Sequence, residues 1–272
     1  MYSDVEAAKA RLARGYSQSA PHYDALAGHL YLTGIRRLLP LLRVPPMPAI
    51  LDVGCGTGVN LMEAARWFAP ARMLCGIDLS PGMVAVARSK AAGMGIPAEF
   101  TVGDAERLPY ADQAFDLVIC NSVLHWFKDR SAAVREMARV LRPGGQIALI
   151  CAATPGFEEW FTLAEHLLTA MGLGREMQVK PSLPSAVEVG ELMLGGGFRI
   201  DHLNNPAYRQ IITDTDSFVQ LMSTVAPHWL ADLDPEAQHI MQHLMANAMR
   251  TGWPAGFVNT WAAVEAIGTR VQ

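Results

Sequence analysis

Residues 49–152 alternate short apolar stretches with stretches of helical spacing, and this alternation limits the fold more than any other feature of the sequence. The apolar stretches predict five strands, Ala49–Val53, Met73–Asp78, Ala98–Val102, Asp116–Asn121 and Gln146–Ala152. Helical patterns between or beside them predict helices at Asn60–Phe68, Pro81–Ala92 and Arg130–Leu141. Strands that alternate with helices pair in parallel through right-handed crossovers. The sequence therefore predicts an α/β fold with a doubly wound parallel sheet.

Both flanks of this core are predicted to be mainly helical. Before residue 43 the helical pattern is interrupted at Gly15–Asp24, and three prolines between residues 45 and 48 end it. After residue 153 two weaker strand candidates, Arg199–Leu203 and Trp261–Thr269, lie among four helical stretches. The predicted helices are Glu158–Met171, Ala186–Leu194, Asp216–Val225 and Pro235–Met249. We therefore divide the chain into residues 1–45, 46–153 and 154–272.

Composition excludes several classes of function. The chain has 22 Lys+Arg against 26 Asp+Glu, a formal net charge of −4, and no basic run, so we expect no nucleic-acid partner. Its four cysteines stand singly, which predicts neither a disulfide framework nor a zinc site. No apolar signal core begins the chain, and its longest apolar run is far too short to span a membrane. We expect a soluble, cytoplasmic protein with no membrane partner and no metal.

The glycine-rich segment Asp52–Gly58 is the strongest functional signal. It follows a predicted strand and opens a predicted helix, which is the context of a nucleotide site. Glycines allow positive φ and let a ligand approach the backbone closely. Asp78 ends the next strand, 20 residues after Gly58, where a carboxylate can accept both ribose hydroxyls.

The charge of this loop distinguishes two cofactors. A dinucleotide fingerprint requires glycine where this chain has Val59. Asp52 would also repel a pyrophosphate, by about 4 kcal/mol for unit charges ~4 Å apart at an effective dielectric constant of 20. S-adenosylmethionine has no phosphate and carries two positive groups, so the charge of Asp52 favours this cofactor over NAD.

Further polar residues follow the third and fourth predicted strands. Asp104 is placed to accept a hydrogen bond from an adenine amino group, although a cap of a turn or helix explains it equally well. Asn121 and Ser122 end the fourth strand, at the edge where parallel sheets bind their ligands.

Four segments together resemble the class I S-adenosylmethionine-dependent methyltransferases: ILDVGCGTG (50–58), GIDLSPGMVAVAR (76–88), GDAERLPYADQAFDLVICNSVLHW (103–126) and EMARVLRPGGQIAL (136–149). The resemblance is to the branch that contains trans-aconitate, malonyl-acyl-carrier-protein and quinone methyltransferases. It implies a Rossmann-like, seven-stranded, mostly parallel sheet whose last two strands are the weaker candidates. It also implies that 1–45 is an N-terminal helical lid, that 46–153 binds the cofactor, and that 154–272 adds a C-terminal helical cap.

The resemblance further implies a role for particular residues. Around the methionine part it places the loop residues Asp52, Gly54, Cys55 and Gly56, with Gly58 closing the loop. On the nucleoside it places Asp78 at the ribose and Leu79, Met83, Asp104 and Ala105 at the adenine. Between cofactor and acceptor it places Asn121, Ser122 and His125, and in the lid Tyr16 and Tyr23.

Methyl transfer needs few dedicated residues, because the protein mainly positions the nucleophile and excludes water. His125 is the predicted catalytic residue: its ordinary pKa of ~6.5 suits a base, but it equally fits a role as a wall of the site. Trp126 and Phe127 are read either as pocket wall or as core. His22 is a further lid candidate. His239 and His243 have the i, i+4 spacing of metal ligands, although a polar helix face explains them better.

The acceptor is the least determined part of the prediction. From residue 202 onward three arginines stand against six acidic residues, so a polyanionic acceptor finds no basic patch. Four methionines, Met222, Met241, Met245 and Met249, fit either a core seam or adaptable contacts with an apolar ligand. We expect a small, neutral or moderately apolar methyl acceptor. The alternatives are an NAD-dependent short-chain dehydrogenase, against which the chain lacks a Tyr-x-x-x-Lys pair, and a non-catalytic S-adenosylmethionine-binding protein.

Overall fold

The computed structural model describes residues 2–170, 172, 182–227, 230 and 233–271. The α-helices of this part of the chain are α1 (Tyr2–Ser19), α2 (Tyr23–Leu38), α3 (Val59–Trp67), α4 (Pro81–Gly93), α5 (Arg130–Val140), α6 (Glu158–Ala170), α7 (Ala186–Gly195), α8 (Thr215–Val225) and α9 (Pro235–Gly252). The strands are β1 (Ala49–Val53), β2 (Met73–Asp78), β3 (Glu99–Val102), β4 (Phe115–Asn121), β5 (Leu141–Ala152), β6 (Phe198–Asn204), β7 (Ala207–Ile212) and β8 (Phe257–Arg270). Two short 3-10 turns, Leu39–Leu41 and Leu124–Trp126, follow α2 and β4.

The sheet has the strand order β3-β2-β1-β4-β5-β8-β6, and β7 also pairs with β8. Strands β1 to β5 are parallel, whereas β8 runs antiparallel to β5 and to β6. β1 and β4 are buried along their whole length, as expected for strands that helices cover on both faces. The predicted doubly wound, mostly parallel α/β sheet is therefore confirmed, including both weaker strands.

Local capping explains where the helices of the core begin. Ser80 accepts a hydrogen bond from the backbone N–H of Met83 at 3.2 Å, and Pro81 occupies the first turn of α4. Asp129 caps α5 in the same way through the N–H of Ala132 at 2.8 Å. These caps fix the first turns of α4 and α5, which follow the carboxyl ends of β2 and β4 in the chain.

The region 205–258 differs from the purely helical cap that was expected, because it contains β7. β6 and β7 pair with successive lengths of β8, so that Asn204 lies opposite Glu265 and Ala207 lies opposite Ala262. Five of the six residues of β7 are exposed, which leaves no alternation of buried and exposed residues for sequence analysis to detect. The sheet consequently has eight strands, and β8 extends beyond its neighbour β5 to hold β7.

Two element boundaries in the structure also differ from the predicted ones. α1 continues through Ser19, although turn-forming residues were expected to interrupt the helix from Gly15. β5 begins at Leu141 and includes the segment Arg142–Gly145 that was predicted as a turn. The irregularity is present nevertheless: Gly144 has φ +79°, and the pairing of β5 with β4 shifts register there.

The flanking helices pack on the sheet and on one another. Ile35 and Leu38 of α2 share an apolar core with Ile50 and Ile150 of the sheet. A separate core contains Trp160 of α6 and all four methionines that sequence analysis left between two readings. Met241, Met245 and Met249 are fully buried, so the core-seam interpretation holds for them, whereas Met222 is buried but also lines a cavity described below. The division into lid, core and cap stays a prediction. Among the described residues, no helix has the length and apolarity needed to cross a bilayer.

Candidate active site

A cavity opens where the parallel strands β1, β2 and β4 reach their carboxyl ends. Parallel sheets bind ligands at this edge. Twelve of the predicted site residues line the cavity: Tyr16, Tyr23, Gly54, Cys55, Gly56, Asp78, Leu79, Met83, Asp104, Ala105, Asn121 and Ser122. The structure thus brings together residues from α1, α2, α4, the glycine loop after β1 and the ends of β2, β3 and β4.

The glycine loop after β1 has the backbone shape that its composition predicts. Gly54, Gly56 and Gly58 have φ of +69°, +53° and +81°. A Cβ at Gly54 would lie 2.6 Å from the side chain of Val123, whereas a Cβ at Gly56 would meet no atom within 4 Å. Gly54 therefore satisfies packing, while Gly56 leaves the backbone open toward the cavity.

Asp78 ends β2 and holds this loop. One oxygen of its carboxylate accepts the backbone N–H of Gly56 and the other accepts that of Ser80, each at 2.8 Å. Burial raises the pKa of Asp78, and the two backbone hydrogen bonds oppose that rise. Each carboxylate oxygen has about two acceptor positions, so the group retains capacity to accept further hydrogen bonds from a ligand in the cavity.

Asp104, after β3, is engaged by the N-terminal helix. Its Oδ2 lies 2.7 Å from Nζ of Lys9, which also contacts Oε2 of Glu106 at 2.7 Å. Its Oδ1 accepts the backbone N–H of Glu106 at 2.9 Å. The predicted turn-capping role of Asp104 is present, and Lys9 connects α1 across the cavity rim to the core.

Aromatic side chains from the first two helices form one wall of the cavity. The rings of Tyr23 and Tyr31 stack with centroids 5.7 Å apart, and Tyr23 donates its hydroxyl to that of Tyr31 at 2.7 Å. Tyr16 contacts both Tyr23 and Trp126 edge to face. Burial raises the pKa of Tyr31 to about 12, so its hydroxyl stays protonated near neutral pH. Tyr31 was not predicted, although it lies eight residues after Tyr23 on the same face of α2.

Asp52 does not line the cavity, unlike its predicted neighbours. It lies inside β1 between β2 and β4 and is fully buried. Neither carboxylate oxygen has a hydrogen-bond partner of normal geometry among the described residues. Burial raises its pKa to about 8, the charge of Asp78 adds to the rise, and the backbone of Leu61 opposes it. The expected direct contact of Asp52 with a cationic ligand stays a prediction, and the acidic residues that line the cavity are Asp78, Asp104 and Glu106.

A second cavity adjoins the first and encloses about 1670 Å³, its open mouth included. Tyr31, Asn121, Ser122 and Trp126 line both cavities. We call these four residues the junction. The rest of the second cavity is largely apolar and aromatic, with contributions from α2, α6, α8, β5 and β8. A ligand in one cavity and a ligand in the other would therefore meet at the end of β4.

Hydrogen bonds fix the junction. The amide nitrogen of Asn121 donates to the carbonyl of Tyr31 at 3.0 Å and to Oδ1 of Asn60 at 3.1 Å, and its oxygen accepts the hydroxyl of Ser122 at 2.9 Å. Ser122 has φ +61°, and its N–H donates to the carbonyl of Ile150 at 2.7 Å. A non-glycine residue at positive φ is strained. Asn121 thus ties α2 and α3 to β4, and the strained turn begins at the point where the cavities meet.

His125 lines the second cavity, in the 3-10 turn that follows β4. It is half-buried, and its ring centroid lies 4.8 Å from that of Trp126. Trp126 and Phe127 line the first cavity, as the pocket-wall reading expects. The histidine therefore lies on the second-cavity side of the junction.

Three other histidines contribute to neither cavity. His22 is exposed at the start of α2. His239 and His243 are exposed on α9 with ring centroids 4.9 Å apart. Within the described ranges no group of three His, Cys, Asp or Glu side chains is placed to hold a metal ion.

Comparison with known proteins gives the class to which this fold and site belong. A methyltransferase domain model matches residues 51–149. A demethylmenaquinone methyltransferase from Roseiflexus castenholzii is 34% identical over 186 residues, which cover 65% of this chain and 77% of that protein. The chain belongs to the class I S-adenosylmethionine-dependent methyltransferases, and the cofactor of this family is S-adenosylmethionine.

Individual relatives differ in what they act on. A malonyl-[acyl-carrier protein] O-methyltransferase from Hahella chejuensis is 41% identical over 143 residues, which cover 53% of this chain and 49% of that protein. The chain therefore spans about half the length of the first curated relatives that it matches. A crystal structure of a putative methyltransferase from Bacillus halodurans superposes with a TM-score of 0.61 at 18% identity, covering 88% of this chain and all of that one. That likeness shows the shared fold.

Proposed function

We propose that this protein transfers a methyl group from S-adenosylmethionine, held in the first cavity, to a small, neutral or moderately apolar acceptor held in the second. The observation that carries the proposal is the junction: the two cavities share four residues at the carboxyl end of β4. Methyl transfer by in-line displacement requires donor and acceptor to meet in this way.

The residues present fit S-adenosylmethionine. The open backbone at Gly56 would take the methionine part, and the half-buried carboxylate of Asp78 would accept the ribose hydroxyls. Met83 and Leu79 supply apolar contacts for the adenine ring, and Asp104 its hydrogen-bond acceptor. Asp52 supports the same assignment from beneath the loop, because burial raises its pKa to about 8 and a nearby cation would stabilise its ionised form.

The protein's contribution to the reaction is positioning and exclusion of water. When bound, S-adenosylmethionine supplies a methyl group on a sulfonium, a good leaving group. The rings of the junction residues Tyr31 and Trp126, together with Tyr16, which contacts Trp126, exclude water from the junction. Holding reactants in a near-attack arrangement contributes up to ~7–11 kcal/mol, so no dedicated nucleophile is needed.

His125 is proposed as the base that removes a proton from an acceptor that must lose one. Its position on the second cavity, beside the junction, supports this role. Tyr31 does not compete for the role, since its pKa is raised to about 12. An acceptor that needs no deprotonation would leave His125 as a wall of the cavity.

A neutral or moderately apolar acceptor is supported by the lining of the second cavity. Phe157, Phe161 and Trp261 contribute aromatic surface, and Met222 contributes an adaptable apolar contact. The curated relatives include enzymes named for quinone and for acyl-carrier-protein substrates, and the apolar lining favours the first kind of acceptor over a carrier-bound acid.

Two measurements test the proposal. Calorimetric titration of the purified protein with S-adenosylmethionine and with NAD separates it from a dehydrogenase, because only S-adenosylmethionine is expected to bind. Incubation with isotopically labelled S-adenosylmethionine and cell extract, followed by mass spectrometry, is expected to reveal a labelled small molecule. Binding without any labelled product across a broad acceptor panel would instead identify a non-catalytic cofactor-binding protein.

A further inference from the structure

An ion pair lines the second cavity, and its acidic member is buried whereas its arginine is half-exposed. Glu265 of β8 is 3% exposed, and its Oε1 accepts Nε of Arg37 at 2.9 Å and also Nη2 of the same guanidinium. Among the described lining residues, only Arg37, His125 and Glu265 are histidine or carry a formal charge. The pair therefore supplies the formal charges of a cavity that is otherwise lined by apolar, aromatic and neutral polar side chains.

Stability alone does not account for this carboxylate. The Arg37 side chain is 53% exposed, so water screens the pair and its attraction is small. Placing a charge between two strands carries a desolvation cost that such a pair does not repay fully. Glu265 lies between Ile150 of β5 and Asn204 of β6 and is flanked along β8 by Val264 and Ala266, so most of its neighbours in the sheet are apolar. A buried acid here points to a ligand.

The carboxylate also has acceptor capacity left. Both contacts from Arg37 reach Oε1, and no group in the described part of the chain donates to Oε2. The pair has no net charge, so a carboxylate or phosphate entering the cavity would meet Glu265 while Arg37 is already engaged. A neutral hydrogen-bond donor, in contrast, would satisfy Oε2.

The location of the pair says which part of the acceptor it contacts. Arg37 and Glu265 line only the second cavity, whereas the four junction residues line both. Glu265 pairs with Ile150, which pairs in turn with the junction residue Asn121, so the carboxylate lies two strands, about 10 Å, from the place where the methyl group would arrive. The same cavity is lined by the ring of Trp261, which contacts Phe157 edge to face at 4.8 Å and stacks with Tyr208 at 6.4 Å.

We infer that Glu265, oriented by Arg37, is a specificity-determining residue that binds a hydroxyl of the acceptor remote from the methylated atom, and that the acceptor is a neutral molecule with a ring system carrying that hydroxyl. This inference rests on the proposed function. The rings of Trp126, Phe157 and Trp261 hold the skeleton, and the carboxylate of Glu265 fixes which end of it points to the junction.

Three matched probes test the inference by calorimetry or ligand-observed NMR. They are 2-naphthol, naphthalene and 2-naphthoate, each added to the wild-type protein saturated with S-adenosylhomocysteine so that only the second cavity is open. The wild type is expected to bind 2-naphthol at least tenfold more tightly than naphthalene, the factor typical of a hydrogen bond to a charged group. It should bind 2-naphthoate more weakly than either.

A substitution locates the effect. Glu265→Gln should remove most of the preference for 2-naphthol over naphthalene while the affinity for naphthalene changes less than about twofold. The control is Glu63→Gln, which breaks the neighbouring Arg36–Glu63 pair outside both cavities and should leave all three affinities unchanged. The comparison of probes on the wild type needs no variant, so it decides the matter even if Glu265→Gln does not fold.

The outcomes distinguish this inference from the proposed function. If S-adenosylhomocysteine and S-adenosylmethionine bind but the three probes bind equally or not at all, the role of Glu265 is overturned and the proposed function stands. Preference for 2-naphthoate would also overturn the role of Glu265, since Arg37 would then be binding an acidic acceptor. Failure of the cofactor itself to bind would overturn the proposed function first.

Discussion

Replacing Asp78 by alanine is expected to weaken cofactor binding through two separable effects. The carboxylate accepts the N–H groups of Gly56 and Ser80, each at 2.8 Å, so Asp78→Ala frees the glycine loop as well as removing the proposed ribose contact. A hydrogen bond to a charged group contributes about 1.5–3 kcal/mol. Loss of the ribose contact alone should therefore reduce affinity by roughly 10- to 150-fold, at 1.4 kcal/mol per tenfold.

A ligand lacking the hydroxyl separates the two effects. Calorimetry with S-adenosylhomocysteine and its 2′-deoxy analogue should show a preference for the former in the wild type and no preference in Asp78→Ala. Any loss common to both ligands measures the freed loop. Asp112→Ala is the matched control, because Asp112 is exposed, pairs with Arg139 and lies outside both cavities. If Asp78→Ala retained the wild-type preference, the ribose assignment would be refuted.

Three further perturbations test other parts of the site. Buried Asp52 has a pKa of about 8, so between pH 5.5 and 7.5 the folded state holds a proton that the unfolded state has lost. Over this range the free energy of unfolding of the wild type should therefore fall by ~2.7 kcal/mol relative to that of Asp52→Asn. Parallel pH profiles of the two proteins in chemical denaturation would refute this. Gly54→Ala should cost roughly 2–5 kcal/mol of stability, of which about 1–2 kcal/mol is for its positive φ and about 1–3 kcal/mol is for overpacking, because its Cβ would lie 2.6 Å from Val123. Gly56→Ala, whose Cβ would meet no atom within 4 Å, should cost only about 1–2 kcal/mol of stability for its positive φ and should mainly weaken cofactor binding. Thermal denaturation measures the stability of both variants, and calorimetry measures their affinity for the cofactor. If both variants lost the same stability and the same affinity, the different roles given to Gly54 and Gly56 would be contradicted. His125→Ala should lower the turnover of an identified acceptor more than cofactor affinity, and equal losses in both would make it a structural wall.

The core of the fold was predictable because its signals are local. Strands β1, β2 and β4 are short apolar runs, and the caps at Ser80 and Asp129 lie within three residues of the N–H groups that they satisfy. The positive φ values of the glycine loop likewise follow from the residues themselves. For the same reason most of the predicted site residues were found: parallel strands bring their carboxyl ends to one edge, whatever the rest of the chain does.

β7 was missed for the opposite reason. Its residues Ala207–Ile211 are exposed, and the strand exists because it pairs with Phe257–Ala262 of β8. Helices α8 and α9 separate these two strands in the sequence. The burial of Asp52 was equally unpredictable. The sequence shows that Asp52 precedes the glycine loop, but it does not show whether its side chain faces the cavity or the interior. Sheet pairing and side-chain direction are properties of the assembled sheet.

The sequence by itself therefore determined the α/β sheet, the glycine loop and the class of cofactor, because each depends on residues close together in the chain. Only the tertiary structure decided which distant groups meet: Lys9 with Asp104, Tyr31 with Asn121, and Arg37 with Glu265, which are 228 positions apart. No local pattern encodes such contacts, since they arise when α1 and α2 fold over a sheet whose last strand comes from the far end of the chain. The second cavity, and with it the proposed acceptor site, is a product of that packing.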